Sequence, residues 1–417
     1  MRGAAVPTRA PLGAPVSFAR NPGIDALRGL SIVLVVLHHL ALRIPLRQTA
    51  LADVVPARVL AALSWNGWSA VFVFFTISGF LIAGHAIGRW GGLARPQLRA
   101  FYVRRAARIL PLLLALLAVL SLLHLAGARD YAIAGEGQSL GGALFAALAL
   151  HLNWYEAVHG YLPGNWDVLW SLSIEELFYL GFPLACLLAR SERVLAWLLA
   201  AFALSLPWQL GVLEGSSAIW QEKAYLPGMA AIAAGIVAAV LAERTAPRAS
   251  TAAWLCAGGG AGLAASLLAG PWLWRSLGNG TMLLLAASTA ALLVGLHWRH
   301  RLAPRAGLRG LGWLRAQGRL SYEIYLTHMF VVYTVVAAFQ AAGGAMRAGW
   351  LWYPPAVLSC WALGAAIERW YTGPAERALR AAFIGRLAWS RRGEEMRGSG
   401  AISAVEFSAA PGSSNGS

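Results

Sequence analysis

Charge is scarce in this sequence. Only 12% of its 417 residues are Asp, Glu, Lys or Arg, against about a quarter in soluble domains. With 58% hydrophobic residues and many long apolar runs, the deficit excludes an ordinary soluble domain and implies a polytopic membrane protein. Cysteine is scarcer still. Cys186, Cys256 and Cys360 all fall inside apolar runs, so they read as small buried hydrophobes rather than disulfide partners or metal ligands. The first 20 residues are rich in Pro, Ala and Arg and lack a signal-peptide apolar core, so the first helix is expected to act as the insertion signal. No internal repeat stands out, which counts against a carrier built from inverted repeats. No second soluble domain is visible. The stretch from about Gly393, GEEMRGSGAISAVEFSAAPGSSNGS, has the Gly/Ser/Ala-rich composition of a disordered tail.

What is present is apolar length. Ten runs can span a bilayer: about 27–43, 68–88, 109–126, 169–189, 194–213, 225–242, 252–272, 280–298, 320–342 and 350–368. An eleventh, LGGALFAALALHLNWY (Leu140–Tyr155), is short and reads as a re-entrant or interfacial segment. The net charge of +16 would suggest nucleic acid in a soluble domain. Here the positive residues lie between the runs, so they report topology, and no nucleic-acid partner is expected. If residues 140–155 do not span and the N-terminus is cytoplasmic, 27 of the 34 Lys/Arg face the cytoplasm; if they do span, the split becomes 13 to 21. The positive-inside rule therefore predicts an all-α, ten-helix membrane bundle with both termini cytoplasmic. The expected organisation is a flexible N-terminus (1–22), a membrane domain (23–380) and a largely disordered cytoplasmic tail (381–417), with a short interfacial helix around Arg377, Arg380 and Arg386.

The few ionisable residues inside the runs are the functional candidates, because such residues are costly in a membrane. In IDALRGLSIVLVVLHHL, helical geometry puts Asp25, Arg28 and His39 on one face, with Arg28 and His39 about 20° apart in direction and about 16 Å apart along the axis. His38 points about 80° away from Arg28 and is expected to pack on a neighbouring helix. Arg28 alone reads equally well as an interfacial anchor. In FVFFTISGFLI, the Ser78-Gly79 pair reads first as a close-packing site. Arg104, Arg105 and Arg108 in FYVRRAARILP form either a topology signal or a phosphate-binding cluster, and the residues alone leave these readings level. In LWSLSIEELFYL, Glu175 and Glu176 point about 100° apart, so one of them enters the bundle; Glu175 is expected at the depth of His39. Ser321, Tyr325 and His328 share a face in LSYEIYLTHMFV and suit a pocket wall. Glu368 reads as an interfacial ion pair with Arg369.

Taken in order, DALRG with an Arg-x10-His pair, FFTISGFLI, RRAARILP, WSLSIEELFY and SYEIYLTH resemble the membrane acyltransferase-3 family over about 22–378. The family modifies polysaccharides, peptidoglycan, oligosaccharides and some antibiotics. The resemblance implies a ten-helix O-acyltransferase using a cytoplasmic acyl donor, usually acetyl-CoA, with Arg28 and His39 as the essential pair and functional roles for Arg105, Arg108 and Glu175. The sequence departs from the family pattern at Leu177, where Gln is usual, at TISGF in place of VLSGF, and in the separation of Glu368 from Pro374. Some members carry a fused extracytoplasmic esterase-like domain, and none is expected here.

These readings combine into one expected mechanism. Arg105 and Arg108, with Arg104, hold the phosphates of acyl-CoA. His39 acts as general base toward a hydroxyl of a carbohydrate or glycosylated small molecule, or carries the acyl group transiently. Glu175 orients His39, and Asp25, Ser78, Ser173, Tyr325 and His328 are pocket or oxyanion candidates. The outside loops, with Asp130, Tyr131, Asn153, Trp154, Trp166 and Asp167, suit a sugar. No metal and no permanently bound cofactor is expected; the lipid bilayer, of bacterial inner-membrane type, is the constant partner. The competing reading is a proton-coupled transporter or exporter of a polysaccharide precursor or acylated metabolite, which buried His, Glu and Arg would equally serve.

Overall fold

The computed structural model describes residues 20–304 and 310–383, and all regular elements among them are helical. The expected tail from residue 384 onward, including Arg386, and residues 1–19 of the expected flexible N-terminus lie outside the described residues. Helix α1 (Pro22–Ala41) opens on a capping signal. Asn21 Oδ1 accepts from the Gly23 and Ile24 amides, and Pro22 occupies the first helical position, where a missing N–H costs nothing. A short α2 (Ala57–Trp65) leads into α3 (Gly67–Trp90), and α4 (Leu98–Leu125) follows. The next stretch forms three short helices, α5 (Leu140–Leu148), α6 (Leu152–His159) and α7 (Gly164–Asp167). Then come α8 (Trp170–Ala189), α9 (Glu192–Leu204), α10 (Leu206–Val212), α11 (Ala218–Lys223), α12 (Tyr225–Arg244) and α13 (Ala249–Leu268). The last are α14 (Gly270–Leu277), α15 (Gly280–Leu302), α16 (Gly312–Arg319), α17 (Ser321–Ala341) and α18 (Tyr353–Ile367).

The protein is an all-helical, multi-pass membrane protein. Eight helical stretches among the described residues are long and apolar enough to cross a bilayer. A ninth is added if α9 and α10, bent by 47°, count as one span. Pro207 explains the bend, because it removes an amide donor and crowds the preceding turn. The tenth expected run, 350–368, holds an α-helix of 15 residues. A π-helical turn (Glu368–Thr372) extends it, and residues 373–383 continue as helix. The run 140–155 is two short helices, broken where Leu150 takes a left-handed φ of 59°. Its second half turns into the bundle: the Leu152 amide donates to Ser173 Oγ at 3.2 Å, and Asn153 and Glu156 are fully buried.

Two glycine pairs set the helix spacing that the site depends on. A Cβ on Gly79 would stand 1.9 Å from the Ile232 carbonyl oxygen, and one on Gly235 would stand 1.9 Å from that of Thr76. Helices α3 and α12 thus cross backbone to backbone, as small residues permit in membranes. Gly29 against Leu314 O, and Gly318 against Asp25 O, do the same for α1 and α16. Gly79 directly follows Ser78, and Gly29 directly follows Arg28.

Candidate active site

A cavity of about 810 Å³ opens at the arginine-rich end of the bundle. Its walls carry Arg20, Arg28, Arg89, Arg104, Arg105, Arg108, Arg319 and Arg380. Three carboxylates, Asp25, Glu368 and Glu376, stand among them. The two arginines of the RRAARILP motif that face inward are already engaged. Arg105 forms a close pair with Glu176 at 2.8 Å, lies 3.7 Å from Glu175 and stacks over the Tyr179 ring at 3.9 Å. Arg108 pairs with Glu323 at 3.1 Å and Glu376 at 3.3 Å, and lies over Tyr322. Glu323 is fully buried and also accepts from Thr372 Oγ1 at 3.1 Å. The π turn places that threonine. Arg104 instead faces Arg89, and both stand near Arg380. This second cluster is predominantly cationic, since among the described residues only Arg380 of the three pairs with a carboxylate, that of Glu376.

A smaller pocket of about 130 Å³ continues inward, sharing Arg28, Phe74, Ser78, Arg105 and Arg108 with the first. Arg28 donates to Ser321 Oγ at 2.7 Å. Ser78 Oγ donates to Glu175 at 3.1 Å. One turn deeper, Ser171 Oγ donates to Tyr325 Oη at 2.8 Å, which leaves the phenol O–H free for the pocket. Beyond Tyr325 lies His328, whose ring stands 6.0 Å from the phenol and 5.1 Å from His39, centroid to centroid. A line of polar groups thus runs from the arginine cavity to His39 along one face of α17.

Most of the sequence candidates lie on or beside this line, with three differences. Glu175 does not reach His39. Its partners are Ser78 and Arg105, and it stands at the level of Arg28, whereas the ring neighbours of His39 are His38 and His328. Residues 152–168 fold over the start of α8, with Asn165 and Trp166 fully buried, so counting from the start of the helix does not give the depth of Glu175. Ser173 is taken by the Leu152 amide and holds the re-entrant segment instead of lining a pocket. Asp25 pairs with Arg20 at 2.8 Å at the cavity mouth. His38 does pack on its neighbours: its Nδ1 bonds the Ser64 carbonyl at 2.8 Å, and its ring sits against Gly67. Leu177 is exposed on the outside of the bundle, so that departure from the family pattern lies away from the pocket. Of the outer-loop residues expected to meet a sugar, Asn153 and Trp166 are fully buried, while Trp154 is exposed.

Residues 21–369 match the family model described as an acyltransferase domain. The chain belongs to the acyltransferase-3 family. It is 28% identical over 217 residues to the peptidoglycan O-acetyltransferase OatA of Listeria monocytogenes, covering 50% of this chain and 29% of that protein. It is also 28% identical over 174 residues to the O-acetyltransferase OatA of Staphylococcus aureus, covering 39% of this chain and 24% of that one. The matched stretch thus spans about a quarter of the length of these relatives. No solved structure matches the chain.

Membership explains why the five motifs occur together, and the contacts explain each. DALRG seats Arg28 and the glycine that lets α16 approach; SGF supplies Ser78 for Glu175; SLSIEELFY supplies the partners of Ser78 and Arg105; SYEIYLTH supplies the partners of Arg28, Arg108, Ser171 and His39. In the sequence Arg89 and Arg319 read only as helix-end topology charges and Arg380 as part of an interfacial helix, yet all three line the cavity. A buried triad of Lys223, Glu156 and Asp167, of which the sequence singled out only Asp167, joins α11, α6 and α7. Lys223, the one lysine of the chain, is 1% exposed and pairs with Glu156 at 2.9 Å and with Asp167. Burial, then the Asp167 charge, push the Glu156 carboxyl well above the usual carboxylate range, against the pull of Lys223. The available signal is that Lys223 is the one lysine of the chain.

Proposed function

We propose that this acyltransferase moves an acyl group, most simply acetyl, from cytoplasmic acyl-CoA to a hydroxyl of a cell-surface carbohydrate or glycosylated acceptor. The observation that carries the reading is the arginine-walled cavity whose inner pocket reaches Tyr325, from which ring contacts lead through His328 to His39. Its volume lies in the range of small-molecule sites, and guanidinium groups suit phosphates. The cluster of Arg89 and Arg104 is the better docking point for the nucleotide phosphates. Arg105 and Arg108 are held by carboxylates and serve to shape the passage. The positive-inside rule puts this end in the cytoplasm, and the bacterial relatives point to the inner membrane.

The thin arm of the donor enters the inner pocket past Arg28 and Ser321. His39 removes the proton from the acceptor hydroxyl as its oxygen attacks the thioester carbonyl. The new C–O bond forms, the C–S bond breaks, and the proton passes from His39 to the departing thiolate. Tyr325, whose O–H is free, fits the oxyanion role better than Ser78, whose proton goes to Glu175. The relatives named as O-acetyltransferases support acetyl as the group and a glycan as the acceptor.

The test uses membranes from cells expressing the protein, radiolabelled acetyl-CoA, and label entering the glycan fraction. His39→Ala, shown to be correctly inserted, is expected to lower transfer by at least a hundredfold, the usual scale for loss of a general base. His38→Ala should keep most of the activity. Transfer near the wild-type rate in His39→Ala overturns the base assignment. Absence of labelled glycan and of free CoA release, with proton-coupled export in vesicles, would favour the transporter reading instead.

A further inference from the structure

His328 is fully buried on α17, and its two ring nitrogens have different fates. Nδ1 lies 2.7 Å from the Tyr325 carbonyl oxygen and 3.2 Å from that of Ile324. Both are acceptors only, so Nδ1 carries the ring proton in the neutral form. Nε2 is then a bare acceptor. It is buried and has no hydrogen-bond partner among the described residues. Leaving such a group unpaired costs about 1–3 kcal/mol, so a donor is to be expected when the site is in its working state. The ring that touches His328 on the side of the site is His39, at 5.1 Å between centroids and 47° between planes.

Among the described residues no carboxylate takes this place. Glu175 is held by Ser78 and Arg105 at the level of Arg28, and His38 is bonded to Ser64 on α2. We infer that His328 is the positioning residue for His39, accepting its N–H at Nε2 in the role that a carboxylate plays in a hydrolase triad. The inference rests on the reading of His39 as the base. In the structure the two rings touch without a hydrogen bond, and a turn of the His39 ring presents nitrogen to nitrogen.

The consequences follow from tautomer chemistry. A bond to Nε2 of His328 fixes which His39 nitrogen keeps its proton, and so which one is bare toward the acceptor hydroxyl. When His39 takes the hydroxyl proton it becomes an imidazolium with two N–H groups. One of them stays on His328, which as a neutral acceptor stabilises the cation by charge-assisted hydrogen bonding. The backbone carbonyls at Nδ1 hold His328 itself in register, so the chain Tyr325 C=O, His328, His39 is a fixed relay of orientation.

Transfer from radiolabelled acetyl-CoA into the glycan fraction is measured for His328→Phe, His328→Gln, His39→Ala and the double variant His39→Ala with His328→Phe. Each is compared at equal amounts of inserted, monodisperse protein. His328→Phe keeps the ring volume and removes both nitrogens; its maximal rate should fall on the order of a hundredfold, with half-saturation by acetyl-CoA unchanged. His328→Gln can place an amide oxygen near Nε2 and should recover to within about tenfold of wild type. The double variant should be no slower than His39→Ala alone, because residues acting as a unit are non-additive. A folded His328→Phe within twofold of wild type overturns the inference, as does a folded Gln variant as inactive as His39→Ala. If His328→Phe does not insert, the Gln variant decides the question on the same criterion. An active His39→Ala would instead remove the reading on which the inference stands, whatever His328 does.

Discussion

Replacing Lys223 by Met exposes how much the packing of α6, α7 and α11 depends on one buried charge. Lys223 is 1% exposed, Glu156 is fully buried and Asp167 is largely so. The three join α11, α6 and α7, and Tyr161 covers the ammonium at 4.5 Å from its ring centre. Met keeps the length of the side chain and removes the charge. Two carboxylates are then left without a counter-charge in a dry site, which costs about 3–5 kcal/mol when one partner of a buried ion pair is lost. The expected signature is a fall of several degrees in the thermal midpoint of the detergent-purified protein, together with reduced acetyl transfer. The deficit should depend on pH in a definite direction. Glu156 already has its carboxyl pushed well up by burial and by Asp167. Without Lys223 it is pushed further. A folded-state value above the unfolded one favours the native state at low pH and penalises it as pH rises through the raised value. The variant should therefore lose more stability at pH 8 than at pH 5. Combining Lys223→Met with Glu156→Gln should restore part of the loss, because one buried charge is then gone. A Lys223→Met protein within about 1 kcal/mol of wild type at pH 8, or one whose deficit shrinks as pH rises, would refute this account of the triad.

Other consequences are as direct. Gly79→Ala drives a methyl group into the Ile232 carbonyl, and should destabilise the bundle by about 1–3 kcal/mol; Gly181→Ala, where nothing lies within 4 Å, should be neutral or slightly stabilising in the same melting assay. Arg89→Ala and Arg104→Ala should each raise half-saturation by acetyl-CoA about tenfold or more with little change in melting, as expected for loss of a charge-assisted bond of about 1.5–3 kcal/mol. Arg105→Ala should also lower the melting midpoint, since it strands Glu176 and Glu175. Unchanged half-saturation in Arg89→Ala and Arg104→Ala would assign that cluster to topology alone.

The pattern of successes and misses along the chain has physical causes. Apolar length is local, so α1, α3, α4, α8, α12, α13, α15 and α17 were all legible. The kink at Pro207 and the π turn at Glu368–Thr372 were not, because a hydropathy run does not record whether a helix stays continuous. Helical direction is also local, which is why His39 separates from His38 on paper as it does in space. The arginine motif could be read in two ways from its residues alone. Its split into Arg105 and Arg108 held by carboxylates, and Arg104 facing Arg89, needed the neighbouring helices.

The sequence by itself determined that the chain is a multi-pass helical membrane protein, which acidic and basic residues stand inside it, and through its ordered motifs the acyltransferase-3 family. Composition and helical period suffice for that, because the bilayer demands long apolar helices and makes each internal charge conspicuous. Only the tertiary structure decided partners. Counting from the ends of their helices puts Glu175 and His39 at one depth, yet residues 152–168 cover the start of α8, and Glu175 meets Ser78 and Arg105 instead. The residue beside His39 is therefore His328, on a helix about 290 positions away in the chain, and no rise per residue can state how deep a helix begins when another part of the chain folds over its end.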